Sequence, residues 1–154
     1  MNTGGAAVFD SLTGAWHLER VIEPGIGTMA GAARFRPLRA GLLHYREDGR
    51  LRLASGHTGA AYREYFYVLD EAAIHICFAV GGQPGDTMHT LRPDTAGDAA
   101  DTHLCRADQY TGRYRFPGPD QFSVHMRVTG PEKHYWIVTA YRRAAGGAAG
   151  GGDQ

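Results

Sequence analysis

The sequence predicts an all-β fold, an antiparallel up-and-down barrel of about ten short strands behind a short N-terminal helical turn. Three observations predict it. Apolar and polar residues alternate with period two in successive runs, as where Phe122, Val124, Met126 and Val128 alternate with Ser123, His125, Arg127 and Thr129. Turn signals built from Gly, Pro and Asp recur about every ten residues. No long helix-periodic stretches separate the strands, which argues against a parallel α/β sheet. A meander of this length must curl into a sandwich or close on itself. Closure removes the edges, and a barrel of about eight to ten strands has room for one small ligand.

The elements follow in order. Residues 8–13 read as one helical turn with Phe9 and Leu12 on one side. Gly14-Ala15-Trp16 opens a strand to Glu23, with Trp16, Leu18, Arg20 and Ile22 on one face, and Pro24-Gly25 breaks it. Residues 27–37 are rich in Gly and Ala, which let a neighbouring backbone approach or let a strand bend. Residues 41–47 put Leu43, Tyr45 and Glu47 on one face. Asp48-Gly49 is the strongest hairpin signal in the chain, with Leu51 and Leu53 on its return arm. Residues 55–59 form a loop, 62–69 a strand, 70–72 a turn and 74–80 a strand. A loop at 81–86, a short strand at 88–92 and a surface loop at 93–100 come next. Residues 103–114 are two strands with a break near 108–111. Turns at 117–120 and 130–132 bracket the stripe from Phe122 to Val128, and 133–143 is the last strand. One domain is expected over 1–143, and 144–154 is an Ala/Gly tail expected to be disordered.

Bulk properties narrow the function. The 154 residues suffice for one domain with a core. Sixteen basic residues balance 16 acidic ones, which argues against nucleic acid and against an anionic membrane as partner. No apolar run is long enough for a transmembrane helix. The N-terminal MNTGGAAVFDSLTG has neither a basic nor an apolar leader segment, so the expected compartment is the cytoplasm, with Cys77 and Cys105 as reduced thiols. A monomer or a homodimer is expected.

The segment HLCRADQYTGRY, residues 103–114, concentrates the polar chemistry: His103 and Cys105 share one strand face, and Asp108, Tyr110 and Tyr114 follow. Gly14-Ala15-Trp16 behind a helical turn, with a late Arg142 or Arg143, resembles the start and end of the lipocalin and fatty-acid-binding-protein superfamily, the calycins. The resemblance implies a Trp plugging one end of the barrel and an Arg stacked across its ring. His103-x-Cys105-x-x-Asp108-x-Tyr110-x-x-x-Tyr114, then Gly130-Pro131-x-Lys133-x-Tyr135 and Tyr141-x-Arg143, is similar to an uncharacterised, mostly microbial family of lipocalin-like domains. Trp16, Arg20, Tyr45, Glu47 and Gly49 fit the same pattern. That family implies a calycin-like fold and no particular activity.

Several chemistries fit these residues. With their faces turned inward, Arg20, Tyr45 and Glu47 join Cys105, Tyr114, Lys133 and Tyr135 as a candidate lining for a small polar or aromatic molecule, with no cofactor. The same residues also fit a purely structural network in which Arg20 and Glu47 pair, and Lys133, set at the barrel mouth by the 130–132 turn, could pair with Asp108 or face a ligand anion. His103, Asp108 and Tyr110 form a candidate catalytic proton-transfer set, suited to a cyclisation, isomerisation or dehydration. Five residues of strand would hold His103 and Asp108 roughly 16 Å apart, so that set needs a hairpin or bulge near Asp108. His75-x-Cys77 and His103-x-Cys105 match no zinc spacing, and no metal is expected. Haem held through one His is a further alternative, from fold analogy alone. A small-molecule-binding barrel leads, and whether the molecule is chemically changed stays open.

Overall fold

The computed structural model describes residues 4–145. The chain opens with α1 (Gly4–Leu12), longer than the single turn expected at 8–13. Ten strands follow: β1 (Gly14–Glu23), β2 (Gly27–Arg39), β3 (Leu42–Leu53), β4 (Thr58–Asp70), β5 (Ala73–Val80), β6 (Gln83–Leu91), β7 (Asp98–Cys105), β8 (Asp108–Gly118), β9 (Gln121–Thr129) and β10 (His134–Arg143). All pairings are antiparallel, and the sheet runs β6-β5-β4-β3-β2-β1-β10-β9-β8-β7. The first and last strands of the chain therefore pair with each other, Trp16 opposite Arg143. The result is a nearly closed ten-stranded antiparallel barrel.

Two expected reversals fall elsewhere. Asp48-Gly49 is not a hairpin, because β3 runs straight through it. Gly49 stands opposite Gly31 in the ladder. A Cβ on Gly31 would lie 2.1 Å from the Asp48 carbonyl oxygen, and one on Gly49 would lie 2.5 Å from that of Ala30. These glycines serve close backbone approach, the role expected of the 27–37 segment. The hairpin comes after Leu53, where Gly56 has φ 98°. Likewise the break expected near 108–111 lies earlier, at Arg106 (φ 60°) and Ala107, so Asp108 begins β8. The expected loops also shrink, since β6 starts at Gln83 and β7 at Asp98. Of the expected tail, Ala144 still donates its N–H to the Ala15 carbonyl at 3.0 Å, and residues from 146 on lie outside those described.

The strand alternation puts an apolar floor at one end. Phe9 and Leu12 of α1 bury themselves against Trp16, Phe35, Leu43, Ile74, Leu91, Phe116 and Phe122. Each such side chain contributes about 1.5–3 kcal/mol relative to exposure. Trp16 donates its indole N–H to the Leu12 carbonyl at 2.9 Å and meets Phe122 edge-on. Of the two late arginines, Arg143 is the one on the Trp16 ring, its guanidinium carbon 4.0 Å from the ring centre. It donates to the carbonyls of Ser11, Thr13 and Pro119, tying the helix and the β8–β9 turn to the plug. This end is closed, and the cavity lies above it.

The sheet's two edges, β6 and β7, form no backbone ladder with each other. Side chains close the gap instead. Asp101 accepts the Thr90 N–H at 2.7 Å, standing in for a missing backbone rung. His89, fully buried, reaches across from β6 to the Tyr110 carbonyl at 2.9 Å and the Tyr114 hydroxyl at 2.8 Å. A carbonyl only accepts, so Nε2 carries the proton and Nδ1 accepts from Tyr114. Gly112 makes room, since a Cβ there would sit 2.7 Å from His89 Cε1.

Candidate ligand-binding site

Above the floor the inner face becomes polar. Arg20 from β1 and Glu47 from β3 point inward from strands that flank β2, and both are almost wholly buried. Arg20 donates Nη1 to Glu47 Oε2 at 2.6 Å, Nη2 to Oε1 at 2.9 Å and Nε to Thr139 Oγ1 at 2.8 Å. Tyr45 donates to Glu47 Oε1 at 2.5 Å and accepts from Tyr141 at 2.8 Å. Burial alone would raise the Glu47 pKa, but the Arg20 fork outweighs it and holds the carboxyl below its usual range. Burial also opposes the Arg20 charge, and the Glu47 hydrogen bonds reverse that, leaving its pKa raised. Burial pushes Tyr141 up to about 12 and Tyr45, Tyr67 and Tyr114 well above the ordinary phenol value, so all four are neutral donors at pH 7.

These groups border a cavity of about 350 Å³, within the size range of small-molecule sites. Of the residues singled out from the sequence, Arg20, Tyr45, Glu47, His103, Cys105, Tyr110, Tyr114 and Tyr135 line it. The β7–β8 hairpin sets His103 opposite Tyr110. Asp108 and Lys133 are not in the lining. Asp108 lies at the rim, paired with Lys133 at 3.0 Å and packed over Gly130, where a Cβ would be 2.0 Å from Asp108 Oδ1. Hence the expected His103–Asp108 pairing is not formed. Lys133 also reaches the Tyr110 hydroxyl at 3.3 Å, and the Asp108 hydrogen bond, with help from Tyr110, raises the Lys133 pKa.

The sequence reading missed Arg63, Tyr65, Tyr67, Phe78, Met88 and His89, of which all but His89 line the cavity. Period two from Arg63 through Tyr65 and Tyr67 was a usable signal. Phe66 and Val68 obscured it, because they form an equally apolar stripe, packed with Leu42 and Cys77 on the outer face. His89 was hidden because the β5–β6 register shifts near Cys77. Tyr67 differs from the other deep phenols. It is 6% exposed, lines the cavity and has no hydroxyl hydrogen bond among the described residues. Tyr114 and Tyr141 each have one, and Tyr45 has two.

The metal and haem alternatives find little support in these residues. His75 and Cys77 alternate with the cavity residues Ile76 and Phe78, so they face away from His103 and Cys105. His75 is engaged by Thr90 and Asp70. His89, the most buried imidazole, has both ring nitrogens in hydrogen bonds, so an iron would have to displace one of them. Burial lowers its pKa, against the Tyr110 hydrogen bond, which favours the charged form.

The fold and site define a nearly closed ten-stranded antiparallel barrel with a mixed polar and aromatic interior. Residues 12–143 match DUF6314, a family of unknown function, and the chain belongs to that family. Comparison with curated proteins finds no match. Among solved structures, the S-type phycobiliprotein lyase CPES from Guillardia theta is similar over 90% of this chain and 92% of its own, with TM-score 0.67 and 10% identity. A redesigned β-barrel, mFAP1, bound to DFHBI, covers 93% of this chain and 100% of its own at 14% identity and TM-score 0.47. At 10% identity the likeness to the lyase is one of fold alone. No helix among the described residues is long and apolar enough to cross a membrane.

Proposed function

We propose that the barrel binds one small organic molecule in the cavity above its Trp16 floor. The observation that carries this is Tyr67: a buried phenol facing a cavity of about 350 Å³ with no hydroxyl partner among the described residues. A buried polar group normally has a partner, and here a ligand atom or a water it displaces supplies one. The walls suit such a molecule, with phenol hydroxyls for orientation and Ile76, Val124, Met88 and Met126 for apolar contact.

The test is a fluorescence titration with N-phenyl-1-naphthylamine, an uncharged dye that brightens in apolar surroundings. Saturable one-to-one binding is expected. Val124→Trp, which fills the cavity from β9, should abolish it while the far-UV spectrum stays that of a barrel, and Met126→Trp should do the same. No saturable binding, or equal binding by both variants, contradicts the proposal.

A second reading makes the barrel an enzyme. The observation favouring it is that His103 and Tyr110 face each other across β7 and β8 on the cavity wall. His103 would move the proton and Tyr110 would stabilise a developing oxyanion, without Asp108. Incubation with the molecule recovered from the protein should then yield a new chromatographic peak, of the same mass for an isomerisation or internal cyclisation and of lower mass for a dehydration, and His103→Ala should stop that conversion without stopping binding. An unchanged chromatogram sinks this reading alone.

A further inference from the structure

We infer that the ligand is an organic anion with an aromatic or conjugated body, its charge held at the cavity mouth by Arg63; this rests on the small-molecule reading above. The cavity wall carries two guanidiniums, Arg20 and Arg63, against the single carboxylate of Glu47. Both Glu47 oxygens already accept from Arg20 and Tyr45. Arg20 is therefore neutralised, and a head group seeking it would have to displace a bidentate pair. Arg63 stands opposite Glu47 in the β3–β4 ladder but forms no ion pair among the described residues. Its guanidinium carbon lies 5.9 Å from the centre of the Tyr65 ring, and its charge acts on Glu47 through space, without a hydrogen bond. The other cation near the mouth, Lys133, is held by Asp108. The unmatched charge is thus Arg63, and among the described residues no carboxylate but Glu47 lines the cavity. A ligand anion would complete the balance.

The body of the ligand follows from the walls beside Arg63. Tyr65 and Phe78 sit 6.2 Å apart, and Phe78 and His103 5.7 Å apart, offering ring faces and edges around the entrance. Tyr110 and Tyr135 continue this lining, which favours flat π-systems over flexible alkyl chains. Arg63 and Tyr67 lie four residues apart on one face of β4, about 13 Å of strand. An anion at Arg63 and a hydrogen-bonding atom at Tyr67 set the length the site accommodates.

Two dyes sharing one ring system provide the test: 1-anilinonaphthalene-8-sulfonate and its uncharged parent, N-phenyl-1-naphthylamine. The sulfonate should bind about tenfold more tightly at low salt, and added salt should shrink that advantage. Arg63→Gln should remove the advantage, weakening the sulfonate far more than the neutral dye. Arg34→Gln, on an exposed outer position, should alter neither dye. Equal affinity for the two dyes, or an advantage that survives Arg63→Gln, overturns the anion inference while neutral-dye binding upholds the cavity. Failure of both dyes to bind overturns the cavity reading and this inference with it.

Discussion

Glu47 is 1% exposed and ionised, which is tolerable only because Arg20 and Tyr45 occupy its oxygens. Glu47→Gln leaves the Arg20 charge without a counter-ion and should cost about 3–5 kcal/mol in urea unfolding. The double variant Arg20→Met, Glu47→Leu should recover most of that loss, because it removes both buried charges. The lowered Glu47 pKa also sets a direction with pH. Its contribution is fully present above the unfolded carboxyl value of about 4.3 and is lost as pH falls through the folded value. An acid titration followed by circular dichroism should show this limb in the wild type and a flatter one in Glu47→Gln. The sequence exposed these residues because period two placed Arg20 with Trp16, and Glu47 with Tyr45. It left open whether they formed a network or a pocket wall, and the structure makes them both at once.

At the scale of elements, the weakest joint is between β6 and β7, where Asp101 and His89 replace a backbone ladder. His89 is neutral in the fold, with its pKa lowered by burial, although the Tyr110 hydrogen bond and Asp101 oppose the shift and His103 adds to it. The unfolded chain therefore takes up the proton first as pH falls below about 6.5. Stability from His89 is complete above that value and drains away toward the lower folded value. Thermal melts should show a lower Tm at pH 5.5 than at pH 7.5. His89→Gln should lower the Tm at pH 7.5 and lessen the dependence on pH. The joint was illegible in the sequence because side chains from β6 and β8 meet only through closure. Asp48-Gly49 misled for a related reason. The same dipeptide serves a tight turn or a close backbone approach, and only the pairing with Gly31 decides between them.

For the whole molecule, repeated alternation and turn spacing made the ten-stranded barrel legible, and Trp16 with Arg143 marked its closed end. The mouth was harder to read. The sequence left Lys133 either to pair with Asp108 or to face a ligand anion, and the β9–β10 turn makes the pairing, at the rim. Arg63 and Tyr67 lay on a strand whose two faces looked alike. We propose that the open half, through its cavity, takes up one small molecule. Native mass spectrometry of the protein recovered from the cells that make it tests this most directly. A single small-molecule adduct at one-to-one stoichiometry is expected, absent from Val124→Trp prepared identically. The bare chain mass in both preparations, with no dye binding by either, would contradict it.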